Sequence, residues 1–106
     1  MIKYPTNDDF TNIKGSHARE IKKIIGKVMN YLSNKKIAII KIFSDSIKLG
    51  DELFIIGHKT GIVRLKVGSM ERYKKKISHA SAGELVAVLC ENKVRENDSV
   101  YKILKK

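Results

Sequence analysis

Val67-Gly68-Ser69-Met70-Glu71-Arg72-Tyr73-Lys74-Lys75-Lys76, followed by Ala80-Ser81-Ala82-Gly83-Glu84-Leu85-Val86, decides the fold class of this chain. An alternating strand enters a cluster of cations, and a turn of small residues then opens a second, almost wholly apolar strand. Just upstream, Val63, Leu65 and Val67 alternate with Arg64 and Lys66. That is the period-two pattern of a strand with one buried and one cationic face. Downstream, Leu85-Val86-Ala87-Val88-Leu89-Cys90 lacks alternation and reads as a central strand.

Outward from this stretch, short apolar runs are cut by turn residues every 8–12 positions or so, the spacing of an all-β barrel. Strands are expected over residues 24–32, 37–43, 52–56, 62–69, 85–90 and 100–104. Ser33-Asn34-Lys35 offers a hairpin turn in which Asn34 tolerates positive φ. Lys48-Leu49-Gly50-Asp51 is a turn whose glycine takes a conformation that a β-branched residue resists. Gly57-His58-Lys59-Thr60-Gly61 is a hairpin loop, and Asn97-Asp98 turns the chain into its last strand. The expected architecture is all-β, a small closed antiparallel barrel of about six strands over residues 24–106. Closure buries an apolar face without helices and protects strand edges. Residues 1–23 carry the only proline, Pro5, and little periodicity. They read as a flexible or loosely docked N-terminal arm, with a helical turn around residues 18–23.

The 106 residues suit one domain with one modest core. Twenty-two basic residues against 11 acidic ones leave a formal net charge of +11, a surplus that attracts phosphate polymers or other anionic surfaces. No run approaches the roughly 18 apolar residues of a membrane span. The start of the chain, with Asp8 and Asp9, does not read as a signal peptide. A cytoplasmic protein with no membrane partner is expected. The single cysteine, Cys90, lies in an apolar run and reads as a buried thiol in a reducing compartment.

No cofactor is expected. A nucleotide-binding loop needs Gly-x4-Gly-Lys-Ser/Thr, whose backbone amides cradle phosphates. In Gly57-His58-Lys59-Thr60 a histidine separates glycine from lysine and the upstream glycine is missing, so nucleotide binding is not expected. His17, His58, His79 and Cys90 form no close pair of metal-ligand spacing. Ser78 and His79 are neighbours on an extended chain, hence on opposite faces, which disfavours proton transfer between them. A non-enzymatic protein follows from these readings.

The order of motifs from Ser69 to Val86 resembles the second domain of translational GTPases such as elongation factor Tu. There a Ser-Ile/Met-Glu step precedes an aromatic residue and a basic pair, and an Ala-Gly-acidic turn opens the next strand. Ile25-Gly26-Lys27-Val28 is similar to that barrel's Gly-x-Val opening, and Ile47-Lys48-Leu49-Gly50-Asp51-Glu52-Leu53 to its Gly-Asp turn. Val94-Arg95-Glu96-Asn97-Asp98-Ser99-Val100-Tyr101-Lys102 falls where the closing strand should be. The Ser69-Met70 step and the Val-Tyr-Lys ending look more like small stand-alone translation-factor-like proteins. They are also similar to the barrel at the C-terminus of collagenase-like peptidases.

The resemblance implies a barrel that sits on RNA or ribonucleoprotein, at the ribosome, without a GTPase domain. Arg72, Lys74, Lys75 and Lys76 are the candidate RNA contacts, because arginine binds phosphate bidentately and lysine supplies point charge. Lys35, Lys36, Lys59, Arg64, Lys66 and Arg95 extend the patch if the barrel brings them to one side. The resemblance implies that Tyr73 packs in the core. The alternative is an accessory module that docks to a partner protein or enzyme, as the barrel does in the peptidase relatives. Its mark would be a contiguous exposed apolar patch.

Overall fold

The computed structural model describes residues 20–105, which form ten strands and no helix. These are β1 (Glu20–Leu32), β2 (Ile37–Ile42), β3 (Ser46–Lys48), β4 (Glu52–Gly57), β5 (Gly61–Lys66), β6 (Met70–Arg72), β7 (Lys75–Lys76), β8 (His79–Ser81), β9 (Leu85–Leu89) and β10 (Ser99–Lys105). All pairings are antiparallel. Eight strands make one sheet in the order β5-β4-β10-β1-β2-β9-β6-β7, and β3 pairs with β8 in a small second sheet. The all-β class is therefore as expected. The main sheet ends at β5 and β7 rather than closing on itself by a ladder between them.

Six longer strands, β1, β2, β4, β5, β9 and β10, are the six that the periodicity anticipates. The other four have two or three residues each, too short to leave a period in the sequence. β1 begins at Glu20, so residues 20–23 extend a strand instead of forming part of a helical turn. The remainder of the expected arm lies outside the described residues. β5 stops at Lys66, short of the expected 69. Beyond it the Val67 amide still donates to the Asp51 carbonyl (2.9 Å) before the chain leaves for β6.

Period-two burial builds the interior. Ala38, Ile40 and Ile42 of β2, Leu53 and Ile55 of β4 and Val86 and Val88 of β9 all point inward and are buried, joined by Ile25, Val28, Ile47, Val67, Met70 and Val100. β9 alternates in burial after all. Its outward residues Leu85, Ala87 and Leu89 are apolar too, so the alternation was invisible in the residue types. Strand β1 bends through two bulges, between Ile24 and Gly26 and between Val28 and Asn30. Bulges of this kind increase local twist and let one strand serve both neighbours. A Cβ on Gly26 would overlap the Lys41 carbonyl, which explains why the opening strand needs glycine there.

One cation sits among the core strands. Lys102 is 8% exposed. Its Nζ donates to the Ser46 carbonyl (2.9 Å) and lies 3.4 Å from Asp45 Oδ1 and 3.6 Å from Asp51 Oδ2. This ties β10 to the β2–β3 bend and to the start of β4. Burial opposes the charge on Asp45, but the Lys102 ammonium and the Ser46 amide outweigh it and hold the carboxyl below its ordinary value.

Candidate docking surface

The cation cluster that the sequence presents as a loop is a two-residue hairpin. Glu71 faces Lys76 and Arg72 faces Lys75, so β6 and β7 flank Tyr73 and Lys74 alone. Both of these have positive φ, 54° and 65°. That is the type I′ geometry, normally filled by Asn-Gly because other side chains crowd the following carbonyl. A non-glycine residue held there costs roughly 1–2 kcal/mol. Arg72 opposite Lys75 adds a like-charge pair, which is also unfavourable.

The base of the hairpin is firmly held. Met70 is buried, and the Ile77 amide donates to its carbonyl (3.0 Å). Arg72 Nη1 pairs with Glu84 Oε2, while Glu84 Oε1 accepts the Ser81 amide (2.7 Å). Tyr73, by contrast, is 90% exposed. The expectation that Tyr73 packs in the core is thus corrected: the left-handed turn throws the ring outward at the tip.

The ten cations proposed as one patch fall into four groups. Arg72, Lys74, Lys75 and Lys76 share the hairpin, where Arg72 is engaged by Glu84. Arg64 and Lys66 lie on the outward side of β5. There Arg64 pairs with Glu52 (2.8 Å) and stacks over Phe54 at 5.3 Å. Lys66 stands opposite Glu52 in the ladder. Lys35 and Lys36 are in the β1–β2 turn. Lys36, not Asn34, takes the positive φ there (56°), and its carbonyl accepts the Cys90 amide (2.8 Å). Lys59 and Arg95 both line a cleft of about 560 Å³, together with His58, Asn97 and Asp98.

Asp98 organises that cleft. It is buried, accepts hydrogen bonds from the Arg95 amide (2.8 Å) and the Thr60 hydroxyl, and sits where a Cβ on Gly57 would be. Its carboxylate is therefore a structural clasp between the β4–β5 and β9–β10 loops.

The outer face of β1, β2 and β9 carries apolar residues, half-buried at Leu32, Ile37, Ile39 and Ala87 and open at Leu85 and Leu89. Leu32, Ile37 and Leu89 are consecutive cross-strand partners, and Ile39 pairs with Ala87 on the next outward row. Leu89 is 43% exposed and Leu85 45%, and Met29 in the second bulge is comparably open. β6 is hydrogen-bonded to β9, and the Arg72–Glu84 pair fixes the hairpin base beside Leu85. The apolar face and the hairpin thus belong to one stretch of sheet.

Other chemistry is sparse among the described residues. No group of three His, Cys, Asp or Glu side chains could hold a metal ion. The period of β8 sets Ser81, not Ser78, beside His79, with Oγ 3.4 Å from Nε2, both exposed. Cys90 is buried, as expected, and burial pushes its thiol up. Tyr31, whose hydroxyl donates to the Cys90 carbonyl (2.9 Å), is also raised by burial, with Cys90 and Glu91 adding to the effect. No described helix is long and apolar enough to cross a membrane.

The fold and its outward face thus define a small antiparallel β-domain with an apolar flank. Comparison with known proteins narrows this. No family model matches the chain. An uncharacterized protease of Methanocaldococcus jannaschii is 38% identical over 96 residues, which cover 90% of this chain and 23% of that protein. A collagenase of Porphyromonas gingivalis is 30% identical over 98 residues, 92% of this chain and 24% of that protein. The chain spans about a quarter of the length of the curated relatives it matches. In structure it is similar to the C-terminal domain of a protein assigned to the U32 peptidases of Geobacillus thermoleovorans. The TM-score is 0.70 at 15% identity, covering 76% of this chain and 91% of that domain. It is less similar to GDP-bound aIF5B of Aeropyrum pernix, with a TM-score of 0.50 at 16% identity over 80% of this chain and 14% of that one.

These findings correct the RNA- and ribosome-binding reading. The sequence relatives are a protease and collagenases, while the translation factor shares the fold alone at lower similarity. Two of the candidate cations, Arg72 and Arg64, are also engaged by carboxylates of the same chain. The translation-factor motifs describe how this barrel-like sheet is built, not what it touches.

Proposed function

We propose that the chain is an accessory β-domain of a peptidase system, which docks to the larger peptidase body through the outer face of β1, β2 and β9. The observation that carries this is the match to about a quarter of proteins named protease and collagenase. The outward apolar row Leu32–Ile37–Leu89, half-buried at its first two residues and open at Leu89, supplies a surface suited to the role. Monomeric proteins seldom expose contiguous apolar area without use, and since Leu89 is 43% exposed, covering it contributes about 1 kcal/mol. The chain contributes no hydrolytic site of its own in this reading, and its buried free thiol suits the cytoplasm. The likeness to the translation factor aIF5B is one of fold alone.

The test is association, by analytical ultracentrifugation, with the Methanocaldococcus protease from which the matching 96-residue segment has been removed. Micromolar or tighter binding is expected, with Leu89→Lys weakening it at least tenfold while leaving the melting temperature nearly unchanged. Absence of binding by the unaltered chain would sink the proposal.

A further inference from the structure

The β6–β7 hairpin departs from three local rules at once. Its two turn residues are neither glycine nor asparagine although both have positive φ, Arg72 faces Lys75, and Tyr73 is 90% exposed. Sequences break such rules mainly where function requires it. A solvated turn would gain stability from Asn-Gly at these positions, and nothing in the fold uses the Tyr73 ring. The base is rigid, fixed by Met70, by the Ile77 amide and by the Glu84 clamp on Arg72 and Ser81. A rigid base with an exposed aromatic tip is what a binding anchor requires, because little side-chain entropy is lost on docking and tyrosine is enriched among interface hot spots.

We infer that Tyr73 is the anchor of the docking surface, inserted into an apolar pocket of the peptidase body whose rim carries carboxylates. This rests on the docking reading above and names the residue on which it turns. The acidic rim follows from the charge at the tip. Glu84 engages Arg72 and Glu71 faces Lys76, which leaves Lys74 and Lys75 as the cations nearest the ring that have no acid opposite them. The hairpin extends from β6, which is hydrogen-bonded to β9, so the tip belongs to the strand next to the one that carries Leu85 and Leu89.

The inference is tested with Tyr73→Asn and Tyr73→Phe. Asparagine suits a left-handed turn position but removes the ring, whereas phenylalanine keeps both the ring and the strain. Tyr73→Asn is expected to melt several degrees higher than the unaltered chain yet bind the truncated Methanocaldococcus protease at least 30-fold more weakly. Tyr73→Phe should bind within about threefold, and raising salt should weaken both it and the unaltered chain through Lys74 and Lys75. Equal binding by Tyr73→Asn and the unaltered chain overturns the anchor while leaving the docking reading intact. No binding by any of the three overturns both. A chimera in which this chain replaces the matching segment gives a second readout by hydrogen exchange. The Tyr73 and Lys74 amides should exchange at least tenfold more slowly in the chimera than in the isolated chain, and unchanged exchange counts against the anchor.

Discussion

Lys102 shows how one residue can change meaning between the sequence and the fold. In the sequence it stands in the expected last strand, at the end of the stretch similar to the barrel's closing strand, with nothing to mark it as buried. In the structure it is nearly buried, with Asp45, Asp51 and the Ser46 carbonyl around its ammonium. Removing one partner of such a cluster leaves the others unpaired, so Lys102→Ala is expected to lose about 2–3 kcal/mol in urea denaturation. Lys102→Met, which keeps the stem but not the charge, should lose less than alanine yet still measurably. Asp45 supplies the pH dependence. Its carboxyl is held below the ordinary value of 3.8, so the unfolded chain binds its proton more readily than the folded one. The stability this gives is present above the ordinary value and fades as pH falls through the lower, folded value. The urea midpoint of the unaltered chain should therefore fall on acidification below about pH 4, and that part of the fall should be smaller in Lys102→Met.

At the level of elements, the two loops joined by Asp98 form a clasp that depends on Gly57. A side chain at Gly57 would displace the Asp98 carboxylate and free both the Arg95 amide and the Thr60 hydroxyl. Gly57→Ala should cost about 2–3 kcal/mol. Thr60→Val should cost less, since it removes one bond and crowds nothing. Faster hydrogen exchange at the Arg95 amide in the first variant, with less change in the second, would confirm the order. The longer strands were legible because their apolar residues recur at period two or run unbroken between turn residues. The glycines at 50 and 61 adopt the positive φ that their turns need, 92° and 76°. What escaped was set by contacts distant in sequence. Strands β3, β6, β7 and β8 exist only through their pairing. The outward Leu85 and Leu89 concealed the alternation of β9, and the positive φ passed from Asn34 to Lys36 because the turn is closed by Lys35 and Leu32 (3.1 Å). The candidate cations were visible as residues, but their division into four groups and the engagement of Arg64 and Arg72 by carboxylates required the register.

For the molecule as a whole, the charge surplus and the apolar residues of the outer face point to different kinds of partner, and the sequence relatives, a protease and collagenases, favour a protein. Phosphate binding needs cations converging on one track, whereas here they divide among a hairpin, a cleft, a strand face and a turn. On β1, β2 and β9 the outward row Leu32–Ile37–Leu89 is apolar throughout, while Asn30 stands beside Ile39 and Lys41 beside Leu85. This favours a protein surface as the occupant and makes the cations a means of orientation at the rim. The described core lies wholly between Ile25 and Ile103, and the proposed docking face and hairpin fall within the same span. A chain beginning at Glu20 should therefore fold and bind alone. Deletion of residues 2–19 is expected to lower the melting temperature by less than about 5 °C, corresponding to roughly 1 kcal/mol for a domain of this size. It should also leave affinity for the truncated protease within about threefold, because no residue of the apolar rows or of the tip is removed. A larger drop in melting temperature would place the first 19 residues in the folding unit. Lost affinity at unchanged melting temperature would place them in the interface, and the docking face would then extend beyond the sheet.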